Sequence, residues 1–352
     1  MTEIDLLKRV RDDVQDPDPL VLARARQRLL TPPPVRRRVP RRRVLVAGGL
    51  ALTLAGGFLV ADVVSHDSSV LPGTIADAST FLSDAAGLAS ANPDAPIPPG
   101  MFRRLTVRTA RLTPLGSHPG LRATQYGSTD TWIPADGKPP FVTVVDRHHH
   151  VDFATPEARK IAAKEARYLL SPSKPSVMIN SCGMAGRGGN VVGPAKQLCD
   201  ASWQNPTLEF LAAQPRDPDA LYVALRKNTR MGNPDVEAFR RIGDVLSTGI
   251  VPADLRAALY QAARKIPGIQ LLNDVVTVDG RRGRAIGLGD GDYRTDLLIS
   301  GTNGQYLGTR IVIIKDGPGD INGNPENSLQ RGDILFSASA TTRITSTPPP
   351  TK

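Results

Sequence analysis

Three consecutive histidines, His148, His149 and His150, followed closely by Asp152, form the densest set of potential metal ligands in the chain. Imidazoles with a carboxylate suit zinc, but successive residues of an extended chain point to alternating faces, so three in a row reach one ion poorly. Ser171-Pro172-Ser173-Lys174 fits the S-x-x-K spacing of penicillin-recognising enzymes. That chemistry needs Ser and Lys on one face of a helix; Pro172 and Pro175 oppose the helix, and no K-T-G follows. Asp316, Asp320, Asn322, Asn324 and Glu326 offer the oxygens that a hard cation wants. Pro325, however, stands where a calcium loop needs glycine, and Arg331 where it needs a bidentate Glu. Gly287, Gly289 and Gly291 in GLGDGD fall between two strand patterns, with no helix start to receive a phosphate. The residues therefore imply no metal, no cofactor and no catalytic set, and the chain reads as something other than an enzyme.

Cys182 and Cys199 are the only cysteines. The segment between them, GMAGRGGNVVGPAKQL, has five glycines and a proline and no convincing helical or strand period. It has little means of ordering itself by core burial, and a disulfide is expected, closing a loop with roughly 3 kcal/mol of stabilisation in the chain-entropy model. Two buried thiols, or half of a metal site, are the rival readings.

The elements that must position these groups are organised around Val44 to Val64, VLVAGGLALTLAGGFLVADVV. At ~1.5 Å per residue this run forms a helix about 27 to 32 Å long, against a hydrocarbon core of ~30 Å. Its glycines are tolerated in lipid, where the backbone has no other hydrogen-bond partner. Arg36, Arg37, Arg38, Arg41, Arg42 and Arg43 precede it, while Asp62 to Gly73 hold no Lys or Arg. The positive-inside bias then places the N-terminus in the cytosol and everything from about residue 65 outside, where thiols are commonly oxidised. A cleaved signal peptide is the competing reading, but the apolar run exceeds the usual ~7 to 15 residues. The net charge of +10 points less to nucleic acid than to this topology, because residues 1–43 hold twelve basic against six acidic residues. Beside a membrane such a cluster is attracted to anionic headgroups, so the expected partner is the lipid bilayer, with no nucleic acid.

In chain order, residues 1–43 form a basic arm with two short helical patterns, around Ile4, Leu7 and Val10 and from Asp18 to Leu30. Residues 65–100, rich in Ser, Ala, Asp, Gly and Pro, read as a tether with one weak helix around Ala76 to Ala89. The folded domain is expected over 101–345. Strand patterns cover Phe102 to Leu112, Leu121 to Trp132 and Pro140 to Val145. Helical patterns follow at Thr155 to Leu170, from Asp217, at Pro234 to Leu246 and at Pro252 to Ile266. Period two returns from Ile269 to Ile344, with Asp279-Gly280 and Asn303-Gly304 as hairpin turns. Strands, then helices, then strands imply an α+β fold in which helices cover one face of an antiparallel sheet, joined to the single transmembrane helix. Residues 346–352 read as a disordered tail.

Several local motifs resemble a family of uncharacterised single-pass membrane proteins of high-GC Gram-positive bacteria. The matching pieces are IDLLKRVRDDV and ARARQRLL, the arginine run, STDTWIPADG at Ser128 to Gly137, RDPDALYVAL at Arg216 to Leu225, VPADLRAALYQAARKIPGI at Val251 to Ile269, and VDGRRGRAIG at Val278 to Gly287. The resemblance implies architecture and location rather than an activity. A more distant similarity is to anchored regulators with an outer sensor and a sigma-factor-binding arm. The arm here has neither Cys nor His, which excludes the zinc-binding form of such arms.

Two functions fit this layout: a membrane-anchored extracytoplasmic binding or interaction protein, or a transmembrane regulator whose cytosolic arm binds a protein partner. The disulfide is tested by thiol titration of the unreduced, denatured chain. No reactive thiol is expected, and two would remove the pairing of Cys182 with Cys199.

Overall fold

The computed structural model describes residues 75–115, 118, 121–171, 173–180, 200–229, 232–315 and 329–350. The apolar run 44–64, Arg36 to Arg43 and both cysteines lie outside these residues, as does the acidic stretch 316–328. No described helix is long and apolar enough to cross a membrane.

The α+β architecture holds. Chain order is α1 (Ile75–Ala91), β1 (Phe102–Pro114), β2 (Arg122–Pro134), β3 (Phe141–Phe153), α2 (Pro156–Glu165), β4 (Ser176–Asn180), α3 (Leu208–Ala212), α4 (Pro218–Arg226), α5 (Pro234–Leu246) and α6 (Ala253–Ala263). It ends with β5 (Gln270–Val276), β6 (Arg282–Asp290), β7 (Tyr293–Ile299), β8 (Tyr306–Ile313) and β9 (Ile334–Thr345). The strands form one antiparallel sheet in the order β4-β3-β2-β1-β9-β8-β7-β6-β5. Two meanders thus meet at their inner strands, and β4 and β5 stand at opposite edges. At ~4.8 Å per strand step the connection between them spans about 38 Å. It does so as the helical layer.

The helices begin where proline and a capping side chain coincide. Thr155, Asp217 and Asn233 each accept a hydrogen bond from the first turn, and each is followed by Pro at the first helical position. The central helix is α6, with eight of its eleven residues buried, Leu255, Leu259 and Tyr260 among them. It packs with α1, α4 and α5 against Leu105, Ile133, Leu271, Ile286, Leu297 and Ile299 of the sheet. On the opposite face Leu272, Val275, Ala285, Leu298 and Leu307 form a second small core.

The structure corrects the extent of the tether. Ile75–Ala91 is a full helix whose Ala78, Phe81, Leu82, Ala85, Ala86 and Ala89 are buried in the main core. Four of those six are alanines, so the face packs closely with only Phe81 and Leu82 to mark it as amphipathic. The folded part therefore includes residues 75–91, which composition alone assigns to the tether.

Close packing here fixes a glycine. Gly304 has φ +66°, and a Cβ built on it would lie 2.5 Å from the Ala85 carbonyl oxygen and 2.7 Å from the Ala89 nitrogen. Both are backbone atoms of α1 and cannot swing away. Gly280 has a similar φ of +82° with nothing within 4 Å of such a Cβ. Gly304→Ala is expected to cost about 2 to 4 kcal/mol, from left-handed strain plus overpacking, and Gly280→Ala only about 1 kcal/mol. Urea unfolding midpoints measure the difference, and equal losses at the two positions would contradict the packing of α1.

Candidate functional site

The histidines and Ser173 lie at the β3 end of the sheet, the glycines Gly287 to Gly291 at β6, and they do not come together as one site. Opposite Gly127, β3 carries Arg147, His148 and His149 between the pairs Tyr126–His150 and Ser128–Asp146. A bulge of this kind redirects consecutive side chains. The His148 ring meets the carbonyls of Tyr168 and Ser171 at 3.0 and 2.9 Å, which makes its Nε2 a donor. His149 lies 3.6 Å from Asp146, and His150 bonds Asp152 at 2.6 Å and stacks on Tyr126. Burial and the adjacent Asp152 carboxylate push the Tyr126 hydroxyl up to about 12. Among the described residues no group of three His, Cys, Asp or Glu could hold a metal ion.

Ser173 donates to Asp146 at 2.8 Å and accepts from the His148 backbone N–H at 3.0 Å. Asp146 thus stands between the hydroxyl and His149, whereas nucleophile activation needs the imidazole between hydroxyl and carboxylate. Gly287 and Gly289 sit within β6, and Gly291 turns the hairpin to β7 with φ +61°. At Gly287 the reason is packing, since a Cβ there would come within 2.6 Å of the buried Asp296 carboxylate, and at Gly291 it is the turn's positive φ.

Two concave regions remain. A cleft of about 550 Å³ lies by the start of α5, lined among others by Asp235, Val236, Leu288, Arg294 and Arg331. Its charges are matched within the fold: Arg294 bonds Asp296 at 2.6 Å, and Asp235 is held by Arg226 and Tyr222.

The second region differs. β9 pairs with β1 through Thr345 but with β8 only as far as Ser339. Beyond that point β8 and β9 diverge, and Arg281 stands in the gap. Its Nη2 donates to the Ala340 carbonyl at 2.8 Å and to the Leu307 carbonyl at 3.3 Å, one on each strand. The resulting slot, about 430 Å³, is lined by Arg281, Arg282, Ser300, Asn303, Gln305, Tyr306, Leu307 and Ala340 to Thr342. Guanidinium, hydroxyl and amide groups dominate this lining, and it holds no carboxylate.

Further positive charge lies behind the slot. Gln305 reaches from its wall to Asp94 at 3.4 Å, and Asp94 also receives Arg256 at 3.2 and 3.3 Å. Arg103 belongs to the same group and donates to the Gly249 carbonyl at 2.9 Å. Burial lowers the Arg103 guanidinium below its ordinary value, opposed by Asp94 and reinforced by Arg256. Arg256 is 5 % exposed, and its Nε has no hydrogen-bond partner among the described residues. A buried guanidinium, Arg256, thus pairs with Asp94, and a half-buried one, Arg103, lies within reach of the same charge. This arrangement can hold an anionic or acceptor-rich ligand.

Sequence reasoning missed the slot. It read Asp279-Gly280 as a hairpin turn, which is right, and gave no role to the arginines after it. The signal is the pair Arg281-Arg282 directly behind a turn; the strand carbonyls that Arg281 bonds are 26 and 59 residues away.

Asp279 orients the wedge. Its carboxylate accepts from Arg281 Nε at 3.1 and 3.0 Å and from the Thr277 hydroxyl at 2.5 Å. Burial alone would raise its pKa, but the bonds from Arg281 and Thr277 and the guanidinium charge outweigh that and lower it. A depressed carboxylate stabilises the fold fully above its unfolded value of about 3.9 and loses that contribution as pH falls through the folded value. Asp279→Asn is therefore expected to destabilise the protein at pH 7 and to differ little from the parent near pH 2. Urea unfolding at the two pH values checks this, and a penalty unchanged by pH would remove the charged role. No protein-family model, curated protein or solved structure matches the chain, and the reading of the slot rests on its own geometry.

Proposed function

We propose that the chain is a membrane-anchored extracytoplasmic binding protein whose ligand enters the slot between β8 and β9. The observation that carries this reading is the lining: two guanidiniums, several hydroxyls and amides, and no carboxylate, at a place where two strands are held apart. A gap serving only the fold would be closed by strand pairing, which satisfies the backbone groups directly.

Anchoring is supported by the spanning length of Val44 to Val64 and by the arginines ahead of it. With Ile75–Ala91 in the folded part, only residues 65–74 separate the apolar run from the domain. At most ~3.6 Å per residue, they hold the domain within about 36 Å of the bilayer. Under the alternative, a regulator whose arm binds a cytosolic partner, residues 1–43 carry the specificity.

Protease added to intact spheroplasts is expected to remove residues beyond about 75 and to spare the arm. Loss of the arm alone would reverse the topology. Specific capture of one cytosolic protein by residues 1–43 would favour the regulator.

A further inference from the structure

We infer that the occupant of the slot is an extended, acidic segment of a protein partner, which adds to the free edge of β9 as a strand. This rests on the reading of the slot as a binding site and names what it binds. The Ala340 carbonyl points toward β8, since Arg281 reaches it from that side. In an antiparallel strand the N–H and C=O of one residue share a side and alternate along the chain. Thr342 and Ile344 therefore turn their N–H and C=O groups to the same side, beyond the last β8 pair at Ser339. Their other flank is taken by β1, which pairs through Phe102–Thr345. Among the described residues no backbone bond engages these groups on the open side. That edge spans two alternate residues, about 7 Å at ~3.3 Å per residue, and asks for a chain carrying both donors and acceptors.

Other edges of the sheet are blunted. β5 is broken by a register shift between Leu272 and Val275, with Asp274 at φ +54°. β4 has five residues and follows Pro175. Short length, bulges and proline are the usual protections against strand addition. Beyond Ser339 β9 carries no bulge or proline through Thr345, and its short open edge faces a cavity. Charge selects the segment through Arg282, which lines the slot, is exposed and forms no ion pair among the described residues, whereas Arg281 is matched by Asp279 and no acid lines the slot. An acyl chain fits this polar lining badly.

The probe is a phage-displayed library of random decapeptides, panned on the full chain in detergent. Selected peptides are expected to alternate Asp or Glu with β-branched residues. They should bind Arg282→Glu about tenfold more weakly than the parent, and lose binding when N-methylated at alternate positions. Arg282 is exposed, so that variant leaves the fold intact. Thr342→Pro removes one edge N–H without touching the ladder to β1 and should also weaken binding. Basic selected peptides, failure to select any, or binding indifferent to N-methylation would overturn the inference. If N-methylated peptides or inorganic phosphate still bind in an Arg282-dependent way, strand addition fails while the slot remains an anion site. Self-association of the chain that Thr342→Pro abolishes would assign the edge to a second copy instead.

Discussion

The pairing of β1 with β9 is the constraint on which the remaining structure depends. These strands lie more than two hundred residues apart and match over Phe102–Arg111 and Phe336–Thr345. Without them there are two separate meanders, each with a long exposed edge. With them there is one nine-stranded sheet. The connection from β4 to β5 must then travel the width of that sheet, and the helices it contains become the cover for one face. Such a ladder is costly in loop-closure entropy, so it must be repaid by burial on both faces at the junction. Leu105 and Ile133 do this toward the helices, and Ala110, Ser337 and Ser339 are buried on the far side.

That far side is held by charge as well as by apolar contact. Asp296 is fully buried and bonds Arg294 and Arg310, both at 2.6 Å. Across the strands, Gly287, Asp296, Arg310, Ser337, Ala110 and Tyr126 occupy successive positions of one row. Removing one partner of such a buried group typically costs ~3 to 5 kcal/mol, because the others are left uncompensated. The row needs a glycine at one end to make room for the carboxylate. Arg104, Asp130 and Thr106 repeat the pattern nearer β1, where hydrogen bonds from both neighbours overcome burial and lower the Asp130 pKa.

How much of this was legible in the sequence follows from what each signal measures. Period and caps report local structure, so the proline-led helices at Pro218, Pro234 and Ala253 and the period-two strands after Ile269 were readable. The third strand was read as ending at Val145. It runs on to Phe153 because the bulge at His148 and His149 breaks the alternation while the pairing resumes at His150. Helix α1 is legible as a weak helix around Ala76 to Ala89, but its burial is not, since alanines that pack against α6 look like those of a spacer. Strand order was not readable at all, because nothing local in Phe102–Pro114 or Ile334–Thr345 marks the other as its partner. The slot inherits that opacity. It exists only where β9 outlasts β8, which is a property of the assembled sheet.

The divergence of β8 from β9 has a cause in the helical layer. The Tyr260 hydroxyl, fully buried on α6, donates to the Gly304 carbonyl at 2.9 Å. Gly304 itself lies against the backbone of α1, and its N–H closes the turn onto Ser300 at 3.1 Å. The start of β8 is thereby pinned to the helices, while β9 follows β1 toward Thr345. Two carbonyls at the fork would be left without donors, and a buried unpaired acceptor costs ~1 to 3 kcal/mol. Arg281 supplies both bonds from one guanidinium, and Asp279 holds that guanidinium in place. The packing that seats α1 against α6 is therefore the same packing that keeps the strand edge open.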